Sequence, residues 1–209
     1  MKIVIVTGGF DPVHSGHLAY FRAAKQLGDK LIVGLNSDDW LARKKGKPFM
    51  PMSERFALAS GLRVVDEVIT FDDLDGSSRD AIVRTRLKYP NAEIVFANGG
   101  DRDATNIPEM EIFKDDKNLR FEFGVGGNWK QNSSRWILDE WKAPRTEKPW
   151  GEYRLLHDYG PQAKLKELTV EPGQRLSMQR HEKRSEFWFV AEGQATVYTI
   201  NSRTTDAEL

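Results

Sequence analysis

The chain has no cysteine among its 209 residues. That absence removes disulfides, thiolate metal ligands and a cysteine nucleophile, and it fits a reducing compartment. Net charge is lacking too: 31 lysines and arginines balance 31 aspartates and glutamates, so no overall basic field draws the chain to nucleic acid. No run approaches the roughly 18 apolar residues of a membrane span, and the apolar stretch near the N-terminus is too short for a signal peptide. We therefore expect a soluble, cytoplasmic protein with neither nucleic acid nor membrane as partner. Histidine is scarce as well, at four residues, and two of the four lie within one helical turn.

Those two are His14 and His17, in the stretch Val6-Thr7-Gly8-Gly9-Phe10-Asp11-Pro12-Val13-His14-Ser15-Gly16-His17. Before it, Lys2-Ile3-Val4-Ile5-Val6 reads as a buried strand, because β-branched residues crowd a short run that Gly8-Gly9 then ends. After it, Leu18, Phe21, Ala24 and Leu27 fall near one face of a helix over residues 17–27, with Gly28 expected as its C′ residue. The histidines then flank a helix N-terminus, where backbone N–H groups and the positive end of the helix dipole attract phosphate and imidazolium donors would add to the attraction. Neither the spacing of a P-loop nor that of a dinucleotide-binding turn is present.

The combination of Gly-Gly-Phe-Asp-Pro with His-x-Gly-His after a strand resembles the signature of the HIGH-type nucleotidyltransferase superfamily. The resemblance implies that His14 and His17 bind the triphosphate of an NTP and stabilise the transition state at the α-phosphorus, with Gly8, Gly9, Phe10, Ser15 and Gly16 lining the nucleotide site and Asp11 on the acceptor side. Further strands read at residues 31–35, 67–71, 93–97 and 120–125, alternating with helices at 53–62 and 78–87. This alternation predicts a Rossmann-like parallel sheet with its ligand site at the carboxyl ends of the strands.

Three more groups extend the resemblance. Arg43-Lys44-Lys45-Gly46-Lys47 forms a basic cluster after the second strand, which resembles the lysine-rich loop of glycerol-3-phosphate cytidylyltransferases. It implies Lys44 as a catalytic cation, Lys47 on the nucleotide, and Lys45 and Arg55 on the acceptor phosphate, although Arg55 could equally pair with a neighbouring carboxylate and Gly46 stands where a lysine is often found. Asn98-Gly99-Gly100-Asp101-Arg102 resembles a Gly-Gly-Asp turn that implies Gly100 and Asp101 near base and sugar. Residues 126–135 resemble the family's second phosphate motif, with Ser133 and Ser134 at a helix start and Lys130 as an approximate substitute for a missing arginine. Either serine also suits an ordinary N-cap.

Beyond Trp141 the texture changes. A polar, proline-containing linker at residues 143–151 precedes short alternating segments with turns at Gly160-Pro161, Pro172-Gly173 and Glu192-Gly193, a pattern that predicts antiparallel β structure. Residues 146–200 resemble the cupin at the end of type II mannose-6-phosphate isomerase/mannose-1-phosphate guanylyltransferase proteins. His181 and Glu186 stand at metal-ligand positions of that motif, but Lys183 replaces the second histidine, so no metal site is expected. With the chain ending at Leu209, we expect an incomplete jelly roll with an apolar face (Phe187, Phe189, Ala195, Val197, Tyr198) that drives homo-oligomerisation.

The resulting expectation is an α/β nucleotidyltransferase domain at residues 1–143 and a partial, all-β cupin (jelly-roll) segment at 144–209. The resemblance implies transfer of a nucleotidyl group, CMP favoured, from an NTP (CTP favoured, ATP possible) with Mg²⁺ to a small phosphorylated polyol or sugar. A non-catalytic nucleotide or sugar-phosphate binding protein and a cupin-type sugar isomerase are the alternatives.

Overall fold

A computed structural model of the chain describes residues 1–100, 102, 105, 107–127 and 132–198, and the backbone of 199–201 and 204–208. The chain divides into two compact units, Met1–Thr146 with Arg154–Glu167 and Glu147–Tyr153 with Leu168–Leu209. Residues 154–167 thus group with the first unit, where the sequence suggested a single cut at 143/144.

In the first unit five strands, β1 (Lys2–Gly8), β2 (Lys30–Leu35), β3 (Glu67–Thr70), β4 (Glu93–Ala97) and β5 (Leu119–Glu122), form one sheet in the order β3-β2-β1-β4-β5. Every pairing is parallel, with Ile5 opposite Ile32 on one side and Phe96 on the other. Because side chains alternate across a strand, the sheet buries two apolar faces. Val4, Val6, Leu31, Val33 and Val95 pack with Phe21, Ala24 and Ala59, whereas Ile3, Ile5, Ile32, Ile94 and Phe96 pack with Ile82. Helices α1 (Ser15–Lys25) and α3 (Met52–Ser60) therefore cover one face and α4 (Arg79–Lys88) the other, and a single-turn α5 (Glu109–Ile112) precedes β5. The order reverses between β1 and β4, which makes the crevice beyond Gly8 and Ala97 the expected ligand position of an open parallel sheet.

Two local expectations give way here. The basic cluster after β2 is not a loop: Arg43, Lys44 and Lys45 form the last turn of α2 (Asp38–Lys45), which starts on a Ser37 cap, carries Asp38 and Asp39 in its first turn and ends at Gly46 with φ 88°. Acidic residues at the start and basic residues at the end suit the helix dipole, so the charge run stabilises a helix that hydrophobic periodicity does not reveal. Gly28 is not a helix C′ residue, since α1 ends at Lys25 with Gln26 as its cap. A Cβ on Gly28 would stand 2.8 Å from the Lys2 carbonyl oxygen, so close packing against β1 is what requires glycine.

The C-terminal strands β6 (Arg145–Lys148), β7 (Gly151–Asp158) and β8 (Lys164–Val170) form an antiparallel three-stranded sheet, and β9 (Tyr198–Asn201) pairs antiparallel with β10 (Thr204–Glu208). Residues 171–197 contain no strand. The expected apolar face at Phe187 and Phe189 is therefore not part of a sheet. Phe187-Trp188-Phe189-Val190 is a continuous apolar run rather than an alternating one, and Phe187 and Phe189 are 97% and 85% exposed. No described helix is long and apolar enough to cross a membrane.

Candidate active site

The turn after β1 is shaped by tight packing. A Cβ on Gly8 would lie 2.9 Å from the Phe10 ring, and one on Gly9 2.7 Å from Leu41 Cδ2. Phe10 itself adopts φ 46°, a left-handed conformation that bulky residues avoid, and its ring is buried edge-on against His17 at 5.0 Å and Phe21 at 4.9 Å. Phe10 was expected to line the nucleotide site. Its ring instead belongs to the core beneath the histidines.

His14 is the N-cap of α1. Its Nδ1 accepts from the Gly16 N–H at 3.1 Å, while its own backbone N–H donates to His17 Nδ1 at 3.3 Å. The rings stack with centroids 3.7 Å apart. A Cβ on Gly16 would lie 3.0 Å from the His14 ring, so glycine permits the arrangement. Since both Nδ1 atoms act as acceptors, a neutral ring at either position carries its proton on Nε2. Burial, then the neighbouring His14 and Lys45, depress the His17 pKa to about 3. His17 is therefore a neutral N–H donor at neutral pH, not the imidazolium expected from its place at a helix start. The helix N–H groups that it and His14 accept from polarise both rings, passing the positive end of α1 to the Nε2–H groups.

Lys45, at the end of α2, donates from Nζ to the Asp11 carbonyl at 3.3 Å. Burial holds this ammonium below its ordinary pKa, Asp11 opposes the shift, and Lys44 and Arg55 reinforce it. Lys44, expected to be the catalytic cation, lies over the Trp40 ring at 4.5 Å. Lys47 follows the Gly46 turn on an exposed stretch.

The two other acceptor-site residues are turned inward. Arg55 is completely buried; it donates to the carbonyls of Met50, Gly9 and Asn36 at 3.1, 2.9 and 2.8 Å and to Asp38 Oδ1 at 2.5 Å. Asp11 is 1% exposed, and its two carboxylate oxygens accept from the backbone N–H groups of Phe49 and Met50 at 2.7 and 2.8 Å. Neither side chain is presented to an acceptor: backbone amides occupy Asp11, and three carbonyls together with the Asp38 carboxylate occupy Arg55, the carboxylate pairing that the sequence left open. Burial disfavours the Asp38 carboxylate, but the Met52 N–H and the Arg55 guanidinium outweigh it and hold the group below the usual carboxylate range. Asp38 was not singled out from the sequence, since only folding joins it to a residue 17 positions away.

Across the crevice, the backbone of Asn98 continues β4 by donating to Glu122 O at 2.7 Å and accepting from Val125 N–H at 3.0 Å. Among the described residues its buried side-chain Oδ1 has no hydrogen-bond partner, another feature that sequence reasoning missed. Gly100 adopts φ 71° and Gly126 φ 89°, and a Cβ on Gly126 would lie 2.9 Å from Tyr20 Cα, so this turn closes on α1 only as glycine. Asp101 and Lys130 lie outside the described residues. Ser133 caps α6 (Ser134–Lys142), accepting from Arg135 N–H at 3.2 Å, and Ser134 Oγ donates to Pro12 O at 2.9 Å. The start of α6 therefore touches the histidine turn.

In the C-terminal unit His181 Nε2 stands 3.0 Å from Glu186 Oε1, with Arg184 Nη2 within 2.7 Å of the first and 3.1 Å of the second. Among the described residues no three His, Cys, Asp or Glu side chains are grouped to hold a metal ion.

The bifunctional protein HldE of Enterobacter sp. (strain 638) is 37% identical to this chain over 120 residues, which is 52% of this chain and 25% of that protein. HldE of Haemophilus influenzae (strain PittEE) is 38% identical over 118 residues, or 51% of this chain and 25% of its own length. The match thus spans about a quarter of these relatives. The lipopolysaccharide core biosynthesis protein from Thermoplasma volcanium GSS1, a solved structure, is 29% identical, covering 59% of this chain and 93% of its own with a TM-score of 0.45. Residues 140–207 match the family described as mannose-6-phosphate isomerase C-terminal. Residues 5–116, more than half of the chain, match the family described as cytidylyltransferase-like. That stretch contains the stacked histidines, the end of α2 and the turn after β4, and with it the chain belongs to the cytidylyltransferase-like family of nucleotidyltransferases.

Proposed function

We propose that the α/β unit transfers a nucleotidyl group, cytidylyl before adenylyl, from a nucleoside triphosphate to the phosphate of a small phosphorylated polyol or sugar. An acceptor phosphate oxygen forms the new bond to the α-phosphorus, the bond from that phosphorus to the bridging oxygen breaks, and pyrophosphate leaves with the electron pair. No protein nucleophile is required. The observation that carries the reading is the stacked His14–His17 pair at the start of α1, whose engaged Nδ1 atoms leave Nε2–H as the donor of a neutral ring. Donors fixed in advance stabilise charge that develops on the α-phosphoryl group without reorganising during the reaction.

In this reading Lys45 and Lys47 neutralise the triphosphate and the acceptor phosphate, and Lys44 joins them on release from Trp40. Gly8, Gly9, Ser15 and Gly16 supply the backbone around the phosphates, the Gly100-Asp101 turn approaches the nucleoside, and Ser133 and Ser134 hold the start of α6 at the outer phosphates. Asp11, the carboxylate of the histidine turn, is already satisfied by two backbone amides, so the residues present fit an Mg²⁺ ion carried in on the triphosphate oxygens better than one caged by protein. Bound there, the ion supplies charge neutralisation on the leaving pyrophosphate. The exposed run Phe187–Val190 supports a homo-oligomer joined through the C-terminal unit. A cytoplasmic location fits the cysteine-free composition.

The test is to incubate the protein with each of CTP, ATP, GTP and UTP, Mg²⁺ and a panel of sugar and polyol phosphates while following pyrophosphate. Acceptor-dependent release is expected, fastest with CTP. Absence of acceptor-dependent release with every NTP overturns the transfer reading, and a preference for ATP overturns the cytidylyl assignment alone.

A further inference from the structure

The loop after α2 has no secondary structure of its own through residues 46–51, yet it carries a dense set of bonds. Asp11 grips both of its ends. Its backbone carbonyl receives Lys45 Nζ at 3.3 Å, while its carboxylate receives the Phe49 and Met50 N–H groups at 2.7 and 2.8 Å. Met50 is held a second time through its carbonyl, by Arg55 Nε at 3.1 Å, and the same guanidinium binds the Gly9 carbonyl in the histidine turn at 2.9 Å. Asp38 anchors Arg55 and also accepts from Met52 N–H at 3.0 Å. The Asp11 contacts join the lysine-bearing segment directly to the turn that carries His14 and His17, and Arg55 bridges Met50 of that segment to Gly9 of the turn, with Asp38 holding Arg55 in place.

We infer that Asp11 and Arg55 are positioning residues: they clasp the loop after α2 onto the turn after β1 and thereby hold the Lys45 ammonium beside the histidine pair. Neither residue touches substrate, since Arg55 is wholly buried and both Asp11 carboxylate oxygens are taken by amides. Lys45, whose Nζ reaches the turn, is thus the cation held in place before substrate arrives, whereas Lys44, whose Nζ lies over Trp40, must leave that ring first. A planar fork and a two-oxygen carboxylate suit the task, because each ties several backbone groups in fixed directions. This inference rests on the transfer reading above and adds which residues set the geometry of the cationic side.

The test is a double-mutant cycle of Asp11→Asn and Lys45→Met in the full chain, read as calorimetric affinity for CTP and ATP with Mg²⁺ and as kcat and KM of transfer. Asparagine keeps the shape of Asp11 but accepts only one of the two amides. Each single variant is expected to weaken NTP binding about tenfold and to lower kcat/KM by about 10²-fold, the scale of one preorganised charge contact. The double variant should stand within about twofold of Lys45→Met alone, because a clasp that acts through Lys45 has nothing left to position once the ammonium is gone. Multiplicative losses overturn the inference, as does Lys45→Met with the parent's affinity and turnover. If Asp11→Asn does not fold, Arg55→Lys, which keeps the buried charge and loses the fork, replaces it in the same cycle with the same expected coupling. A parent chain that binds neither CTP nor ATP overturns the transfer reading itself; a parent that binds them while the cycle is additive overturns only the clasp.

Discussion

The α/β unit and the C-terminal unit use polar and apolar groups in opposite ways. In the first, Ile3, Val4, Ile5 and Val6 are all fully buried, and even Arg55 and Asp11 are withdrawn from solvent and tied to backbone groups of three loops. In the second, Phe187, Trp188, Phe189 and Val190 are 97, 55, 85 and 52% exposed, and the ion pairs of Glu186 link residues within a few positions of each other in sequence. The difference separates a part whose geometry is set by long-range contacts from one whose apolar surface has no cover among its described residues. A preorganised site belongs in the former, and the proposed association would form through the latter.

The strongest way to break that division is at the histidines. His14→Ala or His17→Ala is expected to lower kcat by at least about a hundredfold, as for loss of one preorganised donor to a transition-state charge, while circular dichroism and the unfolding transition stay close to the parent's. Both rings also cap α1, so a stability loss of about 1 kcal/mol should accompany each change. Turnover near the parent's in both variants would remove the pair from the chemistry and leave only its capping role.

The second prediction addresses the C-terminal side. Light scattering should report a homodimer or larger assembly for the full chain. Replacing Phe187 and Phe189 by serine should shift it toward monomer, and ending the chain at Pro144 should do the same, with acceptor-dependent pyrophosphate release persisting in the double-serine variant. A monodisperse monomer of the full chain at micromolar concentration contradicts the association role. Loss of transfer on replacing the two phenylalanines would break the division of labour, by showing that the C-terminal unit serves the site.

What the sequence reveals follows the same division. β4 is legible to the residue, Glu93–Ala97, and the other four strands of the parallel sheet to within a few residues, because β-branched runs between glycines and helical segments leave few alternatives. The histidine turn is legible as a phosphate site because the glycines and the two histidines crowd one short stretch. Other features depend on pairs far apart in the chain. The Asp11 carboxylate meets amides 38 and 39 positions away, and Arg55 meets Asp38 and Gly9 at separations of 17 and 46, so local spacing cannot tell a buried strut from an acceptor-binding cation. Helix α2 was hidden for another reason: Asp38 to Lys45 has little apolar periodicity, and its stability comes from the Ser37 cap and charges matched to the dipole. The neutral state of His17 is equally invisible in sequence, since it results from burial and from the charges beside it.

That neutral state leads to a third, smaller effect. The His17 pKa falls from 6.5 to about 3 in the folded chain. The unfolded state therefore binds more protons between those values, so stability rises with pH across that window and is lost as pH falls through it. At about pH 5 the loss amounts to about 2 kcal/mol relative to neutral pH, from the interval below the unfolded pKa. His17→Gln, which cannot titrate, should flatten the dependence of the unfolding free energy on pH between about 6.5 and 4. An unchanged slope would mean that His17 takes up its proton over the same pH range in the folded and unfolded chain, so that burial does not govern its charge.

The smallest expected effect compares one aromatic donor from each unit. The Tyr20 hydroxyl donates to the Ala97 carbonyl at 2.6 Å, tying α1 to the end of β4, and burial raises its pKa so that the phenol stays protonated. Tyr20→Phe removes that bond and leaves the carbonyl short of a partner, so a loss of about 1 kcal/mol is expected, equivalent to about 3 °C in Tm for a chain of this size. Because this bond fixes α1 against the start of the turn after β4, KM for NTP should rise by a small factor while kcat stays within about twofold. Trp188 Nε1 likewise donates, to Glu186 Oε2 at 3.1 Å, but from a side chain more than half exposed. Trp188→Phe should change Tm by less than about 1 °C, since water replaces the lost bond at little cost. Equal losses in the two variants would show that the C-terminal unit is held as firmly as the sheet, and the contrast between the units would then fail at the level of single hydrogen bonds.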